Sequence, residues 1–316
     1  MGLSRGLGHR ALDLGWVFVL VSFCLDTRRS WQELRGLAHH AERAGLARLY
    51  VPDHFMPYHE TTAIAGPMHE SWTTLSALAV GTTEIGLGTL VLGNSYRHPA
   101  VVANMAASLD QISGGRLLLG LGAGSQPNEH RAYGIELPAP ADRISRFEEA
   151  LQVITSLLRS EVSTFDGVSY TLEEARCEPV SVQHPLPLLV AGAGERRSLP
   201  LAARYGDAWH AWTTPEQFVH KSGVLDDACG AIGREPAEVR RLTGQVLLVT
   251  AHTTPETDVG PDIVGSPDVV VEGLAEYRDV GVDEFIVRDH ADTPFDSAAE
   301  SLARLAVDVL PELEMR

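Results

Sequence analysis

The sequence predicts an α/β fold, a single (β/α)₈ TIM barrel, and three observations support this prediction. Eight short apolar segments alternate with helical patterns along most of the chain. The 316 residues are 44% hydrophobic and 21% charged, which fits a globular chain long enough for one large domain. No low-complexity linker divides the sequence. We therefore expect one barrel domain over residues 15–316, preceded by an N-terminal extension over residues 1–14.

The predicted strands are short apolar runs bounded by charged residues, glycine or proline. An unbroken run such as Leu117, Leu118 and Leu119 is typical of a parallel strand that is covered on both faces. The first strand lies near residues 16–23. The others span residues 46–51, 84–92, 116–121, 186–190, 207–211, 245–250 and 284–288.

The predicted helices carry apolar residues at intervals of three and four positions. In the helix over residues 99–112, one face carries Val102, Met105, Ala106, Leu109 and Ile112, and two glycines then stop the helix. The full set of predicted helices spans residues 30–44, 71–80, 99–112, 142–158, 197–205, 215–231, 267–280 and 296–310.

A doubly wound open sheet is the competing architecture. A dinucleotide-binding sheet of that kind needs G-x-G-x-x-G in its first turn. The two glycine pairs of this chain, in residues 122–124 and 192–194, are incomplete and lie far from the first unit, which favours the barrel. Two long segments are expected insertions: residues 122–140 after the fourth strand, and residues 160–184 before the fifth, with a hairpin pattern at TFDGVSY. They are either lids or binding loops, or surface additions or subunit contacts.

Composition argues against several classes of partner. The formal net charge of −17 argues against a nucleic acid or an anionic membrane, since either requires a basic surface. Cys24, Cys177 and Cys229 lack CxxC spacing, so we interpret them as reduced thiols of a cytoplasmic protein. The apolar stretch over residues 16–25 has the length of a signal-peptide core, but no small-x-small cleavage site follows it, so we interpret it as the first strand.

No metal site is expected. His–Glu neighbours occur at residues 59–60, 69–70 and, in reverse order, 129–130, but none forms the HExxH pattern. We interpret them as loop residues with ordinary surface roles, although His59 or His69 could line a substrate pocket.

Three predicted strands end in residues suited to chemistry or ligand binding. Asp53 and His54 follow the second strand, where they form either a proton-transfer pair or a surface turn. Gly93 follows the third strand, where a glycine would permit a bulge pressed against a ring system, although the residues alone favour a plain loop before the next helix. Residues 191–195 open a helix beside Arg196 and Arg197, which indicates a phosphate site, although Glu195 could instead serve the helix N-terminus.

Six segments together resemble the luciferase-like monooxygenase superfamily, and within it the oxidoreductases that depend on the deazaflavin coenzyme F420. They span residues 49–55, 86–124, 128–137, 142–154, 185–209 and 264–287. The resemblance implies a flavin-type ring at the carboxyl ends of the barrel strands, with a non-proline cis peptide behind it at Leu90-Val91. It also implies that His54 is the active-site histidine, with Asp53 beside it.

The resemblance further implies a set of cofactor-binding residues. Those expected near the ring are Leu90, Val91, Gly93, Asn94, Gly122, Ala123, Gly124 and Ser125, and those expected near the phosphate are Ala191, Gly192, Ala193, Gly194 and Glu195.

Two departures from the family pattern guide the choice of cofactor and substrate. Ala123 stands where bacterial luciferase carries an arginine for the FMN phosphate, which favours F420. Ser125 stands where the sugar-phosphate dehydrogenases carry a glutamate proton acceptor, which argues against that substrate class.

The resulting functional hypothesis is a hydride-transferring oxidoreductase that acts on F420 and an organic small molecule. His54 would supply or remove the accompanying proton or polarise the cofactor. We expect a cytoplasmic homodimer. The alternatives are an FMN-dependent two-component monooxygenase supplied by a separate reductase, and a non-catalytic barrel that binds a flavin or another subunit.

Overall fold

Eight parallel strands close into a barrel in the computed structural model, which describes residues 19–250 and 262–315. The strands in chain order are β1 (Leu20–Cys24), β2 (Arg48–Val51), β3 (Gly86–Thr89), β4 (Leu92–Gly93), β5 (Leu117–Gly122), β6 (Ser163–Asp166), β7 (Thr171–Ala175), β8 (Leu188–Ala191), β9 (Ala208–His210), β10 (Arg240–Val249), β11 (Ile263–Gly265) and β12 (Glu284–Arg288). The barrel order is β1-β2-β3-β5-β8-β9-β10-β12, and β12 pairs again with β1. The predicted (β/α)₈ barrel is therefore confirmed.

Helices surround the barrel and connect successive strands. They are α1 (Trp31–Arg43), α2 (Ser71–Gly81), α3 (Pro99–Ser113), α4 (Pro127–Tyr133), α5 (Pro140–Arg159), α6 (Ser198–Tyr205), α7 (Pro215–Ala231), α8 (Pro267–Asp279), α9 (Phe295–Arg304) and α10 (Leu310–Met315). Local chemistry sets their ends: Ser30 and Glu33 form a capping box that starts α1, and Gly114, at φ 69°, ends α3. No helix of the described residues has the length and apolar character to cross a bilayer.

The strands of the barrel bury both of their faces, as the apolar runs predicted. Leu118 points into the barrel, where it packs with Tyr50, Leu189 and Ile286, whereas Leu117 and Leu119 pack outward against the helices. Alternation along a strand produces this division, since successive side chains point to opposite faces. The three cysteines are buried and free.

A polar cluster closes the amino-terminal end of the barrel. The buried Glu284, the first residue of β12, accepts hydrogen bonds from Ser22 Oγ (2.6 Å), Tyr50 Oη (2.8 Å) and Arg240 Nη2 (2.6 Å). Burial would raise the pKa of Glu284, but the charges of Arg48 and Arg240 and these hydrogen bonds hold the pKa below its ordinary value. With this end filled, ligand access is left to the carboxyl ends of the strands, as is usual for such barrels.

Several predicted boundaries need correction. The single strand expected over residues 84–92 is divided into β3 and β4, because a cis peptide between Leu90 and Val91 interrupts the pairing. β10 begins at Arg240, five positions before the prediction, because its first half pairs with β9 and β12. The closing helix continues past Arg304 as a π-helical turn and α10. Ile112, expected on the buried face of α3, is 57% exposed, and Ala103 and Ala107 are buried instead.

The two expected insertions contain ordered structure. Residues 160–184 hold the antiparallel hairpin of β6 and β7, which the TFDGVSY pattern predicted. Residues 122–140 hold α4, which the sequence pattern did not reveal. The predicted N-terminal extension, and residues 16–18 of the predicted first strand, lie outside the described residues.

Candidate active site at the carboxyl end of the barrel

A cavity of about 480 Å³ opens at the carboxyl ends of the strands, and we call it the glycine-lined cavity. Its lining residues are Asp53, His54, Leu90, Val91, Gly93, Tyr96, Gly122, Ala123, Gly124, Ser125, Ala191, Gly192, Ala193, Ser198, His210, Ala211 and Trp212. Most of the predicted site residues therefore meet in one place. Asn94, Gly194 and Glu195 are not among the lining residues.

Small residues form two walls of this cavity. Residues 122–125 begin at the last residue of β5 and residues 191–193 begin at the last residue of β8, and these two strands are hydrogen-bonded neighbours. Gly192 has φ 146° and Gly124 has φ 89°, conformations that favour glycine. Backbone rather than bulky side chains therefore faces the cavity, which suits the close approach of a flat ring.

The cis peptide between Leu90 and Val91 forms another wall, at the position that the resemblance implied. The Val91 side chain occupies the space that a side chain at Gly122 of β5 would need, because a Cβ atom added to Gly122 would stand 2.7 Å from Val91 Cγ2. Asn94 donates its backbone N–H to the carbonyl oxygen of Gly122 (2.9 Å). The third and fourth barrel strands are thus joined closely at this wall. The residues of the cavity fit a flat tricyclic cofactor such as a deazaflavin.

His54 is held by Glu129 rather than by its sequence neighbour Asp53. Its Nδ1 atom lies 2.8 Å from Oε1 of Glu129. The other carboxylate oxygen of Glu129 accepts the backbone N–H of Phe55 (2.7 Å), and the hydroxyl of Tyr96 donates to Oε1. Glu129 is fully buried, whereas the His54 side chain is 38% exposed and faces the cavity.

The hydrogen bonds that Glu129 accepts from His54, the Phe55 N–H and Tyr96 keep its carboxylate ionised. Burial would raise the pKa of Glu129, but the hydrogen bonds from His54, the Phe55 N–H and Tyr96 outweigh burial and lower the pKa. Burial and the neighbouring Glu129 carboxylate raise the pKa of Tyr96, so its hydroxyl remains a donor. An ionised acceptor at Nδ1 places the ring proton there, and Nε2 is left free of hydrogen bonds to any described residue.

Helix α4 brings Glu129 to this position. Gln126 Nε2 donates to the carbonyl oxygen of Met56 (2.8 Å), and Asn128 Nδ2 donates to that of Pro57 (2.9 Å). These bonds attach α4 to the loop after β2. His130 is also buried, and its ring stacks on Tyr96 at a centroid distance of 4.7 Å. The interpretation of residues 129–130 as surface residues is therefore wrong.

Asp53 has a different set of partners. It accepts two hydrogen bonds from Arg97 (2.7 and 3.0 Å) and one from the backbone N–H of Gly93 (3.0 Å). Arg97 also pairs with Glu70, which caps α2. The side chains of the adjacent residues Asp53 and His54 therefore bind different partners. The expected contact between Asp53 and His54 is replaced by a His54–Glu129 pair, and Asp53 instead joins the loops around the rim.

His210 is a buried histidine in the cavity wall that the sequence did not single out. Its Nε2 atom has no hydrogen-bond partner, and its ring meets Trp212 edge-on at 4.6 Å. Burial lowers the pKa of His210 to about 3, so the ring is neutral.

The predicted phosphate end is open to solvent. Gly194 and Glu195 are exposed, and the Glu195 carboxylate pairs with His220 (3.0 Å) and Lys221 of α7. Arg197, just before α6, hydrogen-bonds Ser145 (3.1 Å) and pairs with Glu148 (3.3 Å). Ser198, the first residue of α6, lines the cavity.

A second cavity, of about 400 Å³, adjoins the first, and we call it the outer cavity. The two cavities share His54, Leu90 and Trp212. The outer cavity is otherwise lined by Cys24, Leu25, Asp26, Thr27, Arg28, Pro52, Met56, Pro57, Tyr58, Met68, Gln126, Arg288, Asp289 and His290. His54 thus stands where a ligand in one cavity would meet a ligand in the other. Within the described residues no group of three or more His, Cys, Asp or Glu side chains could hold a metal ion.

Comparison with known proteins identifies the family. The family model for luciferase-like monooxygenases matches residues 14–258. The chain belongs to the luciferase-like monooxygenase family. An F420-dependent glucose-6-phosphate dehydrogenase of Beutenbergia cavernae is 37% identical over an alignment that covers 87% of this chain and 91% of that protein. An F420-dependent hydroxymycolic acid dehydrogenase of Mycobacterium tuberculosis is 32% identical over 63% of this chain and 54% of that protein.

The fold agrees with that assignment. The structure of a coenzyme F420-dependent tetrahydromethanopterin reductase from Methanopyrus kandleri matches with a TM-score of 0.79, over 94% of this chain and 99% of that chain. Its sequence identity is 17%, so the likeness concerns the fold alone. The predicted membership of the F420-dependent branch of this family is confirmed by the sequence relatives.

Besides His210 and Trp212, sequence reasoning missed Glu129, Tyr96 and Arg97 as site residues. All three lie inside segments that carry the family resemblance, residues 86–124 and 128–137. That membership is the one signal in the sequence that could have singled them out.

Proposed function

We propose that this enzyme transfers a hydride between coenzyme F420 and an organic small molecule. The observation that carries the proposal is the junction of the glycine-lined cavity and the outer cavity at His54. The likeness to an F420-dependent dehydrogenase over 87% of the chain supports the identity of the coenzyme. The coenzyme, when bound, supplies a carbon that gives or takes a hydride.

The walls of the glycine-lined cavity bind and orient the ring. Gly122 and Gly192 would leave room for the ring, and the Leu90-Val91 segment would contact it. Ser198 and the start of α6 would hold the coenzyme phosphate, since the N-terminus of a helix presents free N–H groups. These contacts hold the ring close to the substrate and exclude water.

His54 handles the proton that accompanies the hydride. Glu129 fixes the ring proton at Nδ1, so Nε2 is free to accept a proton from a substrate hydroxyl or, once protonated, to return it. Tyr96 and the Phe55 N–H hold Glu129 in place. The carboxylate of Asp53 does not pair with His54. It fixes the backbone of Gly93 and the side chain of Arg97 at the cavity rim.

A titration of the purified protein with F420, and separately with FMN, tests the coenzyme assignment. We expect F420 to bind with a change in its visible absorption spectrum and FMN to bind more weakly. Anaerobic reduction followed by oxygen then tests the monooxygenase alternative, because reduced flavin forms a peroxide adduct with oxygen. Tight FMN binding with such an adduct would contradict the proposal.

A His54→Gln variant tests the role of the imidazole. We expect nearly unchanged F420 affinity and a turnover lower by about 10²- to 10⁴-fold, the usual contribution of general acid–base catalysis. Turnover is measured on substrates found by screening alcohols, aldehydes and enones. Binding of F420 without turnover of any compound by the unaltered protein would instead favour a non-catalytic barrel.

We further propose that the enzyme is a homodimer in the cytoplasm. The family resemblance supports the dimer, which is also the commonest symmetric assembly. Light scattering coupled to size-exclusion chromatography gives the mass in solution, and a mass of one chain would contradict this part of the proposal.

A further inference from the structure

The outer cavity combines apolar walls with several charged residues. Its apolar walls are formed by Met56, Met68, Leu90 and Trp212, and its charged residues come from the ends of β1 and β12. Whether this cavity attracts cations or anions depends on which of those charges are already neutralised.

The two carboxylates of the outer cavity are both neutralised. Asp289 is buried and receives two hydrogen bonds from the guanidinium of Arg29, at 2.6 and 2.8 Å. Asp26 receives Arg28 Nη2 at 2.6 Å and the backbone N–H of Ala291 at 2.9 Å. Burial would raise the pKa of Asp26, but these hydrogen bonds hold it below its ordinary value. Neither carboxylate is available to balance another cation.

Arg288 is the other arginine that lines the outer cavity, and neither of the two carboxylates pairs with it. In the described part of the chain its guanidinium has no ion pair and no hydrogen bond, although the sequence holds 42 acidic against 25 basic residues. Its contact is the ring of Trp212, whose centroid lies 5.8 Å from Cζ. Stacking on an aromatic face restricts a guanidinium while its N–H groups stay free for a planar oxyanion.

The position of Arg288 suits a substrate that also reaches His54. Arg288 ends β12 and is the register partner of Cys24 on β1, and β1 pairs in turn with β2, which precedes His54. Two strand spacings separate the strands that carry Arg288 and His54, a distance of about 10 Å. A small molecule in the outer cavity can therefore place one end at each residue.

We propose that the outer cavity selects an organic anion, with the carboxylate or phosphate group of the substrate bound by Arg288 and its reactive carbon beside His54. The place of the reactive carbon rests on the proposed function, whereas the anion preference of Arg288 does not. Bidentate hydrogen bonding and charge give the recognition, and Trp212 and the two methionines cover the apolar part of the molecule.

Calorimetric titration with benzoate, phenyl phosphate and the neutral benzamide tests the proposal. The unaltered protein should bind at least one of the two anions roughly tenfold or more tightly than benzamide, the ratio that a charge-assisted hydrogen bond supplies. Comparison of the affinities for benzoate and phenyl phosphate then shows whether Arg288 prefers a carboxylate or a phosphate. Arg288→Gln should abolish the preference, and Arg288→Lys should restore part of it without the forked geometry.

Two controls make the result decisive. Arg176→Gln removes an equal charge from an exposed pair with Glu161 on the hairpin, and it should leave the preference unchanged. Each titration is run with and without saturating F420, so that an anion bound at the coenzyme phosphate position is displaced and recognised. Equal binding of anions and benzamide by the unaltered protein, or a preference that survives in Arg288→Gln, overturns the proposal. Failure of F420 to bind would contradict the proposed function alone.

Discussion

Replacement of Glu129 by glutamine gives the sharpest test of the proton-transfer arrangement. The change preserves volume but turns one acceptor oxygen into an N–H₂ donor. If that donor faced the Phe55 N–H, two donors would meet in a buried site at a cost of about 1–3 kcal/mol. Because the backbone N–H cannot adapt and the histidine can, the amide nitrogen should face His54 and the amide oxygen should stay on Phe55.

His54 then changes tautomer. Its Nδ1 atom accepts from the glutamine, its proton moves to Nε2, and the atom that faces the cavity can no longer accept a proton. We expect kcat to fall by about 10²- to 10⁴-fold, the full contribution of a general base, with F420 affinity nearly unchanged. The tautomer is measured directly from the ¹⁵N chemical shifts of the His54 ring, which requires no substrate. Glu161→Gln, on the exposed hairpin, is the matched control. An unchanged tautomer with full turnover would refute the reasoning.

Three further predictions follow from the same contacts. Gly122→Val should abolish F420 binding in an absorption titration, because the new side chain meets Val91 Cγ2, whereas Gly81→Ala, which meets nothing within 4 Å, should bind normally. Asp53→Asn should lower the free energy of unfolding by about 2 kcal/mol in urea, through the weakened Arg97 pair, while the His54 tautomer stays unchanged; a switched tautomer would contradict the separate roles. The pKa values of Glu129 and Glu284 are lowered in the folded protein. Their contribution to stability is therefore present above the ordinary pKa of 4.5 and is lost as the pH falls below that value. Unfolding free energies that stay constant from about pH 6 to about pH 3 would refute this expectation.

The barrel itself could be predicted from the sequence because its signals are local. Apolar runs such as residues 117–119 identify buried strands, and capping residues and glycines such as Gly114 mark where helices begin and end. The break in the third strand at Leu90-Val91 was inferred through the family resemblance, since no local pattern encodes it.

The small residues of the site were also accessible to sequence reasoning. Glycine and alanine leave room for a ligand because their side chains are small or absent. A barrel of parallel strands places the carboxyl ends of all its strands on one rim, so such residues at those ends lie close together. Residues 122–125 and 191–193 accordingly line one cavity.

The partner of each side chain was decided by tertiary structure alone. The sequence places Asp53 next to His54, but in the fold Asp53 binds Arg97, and Glu129, 75 positions away from His54, binds His54 Nδ1. That contact exists because the seven-residue α4 folds back over the loop after β2 and is fixed there by Gln126 and Asn128. Propensity and periodicity describe how a segment folds, whereas a hydrogen bond between distant segments depends on the path of the whole chain.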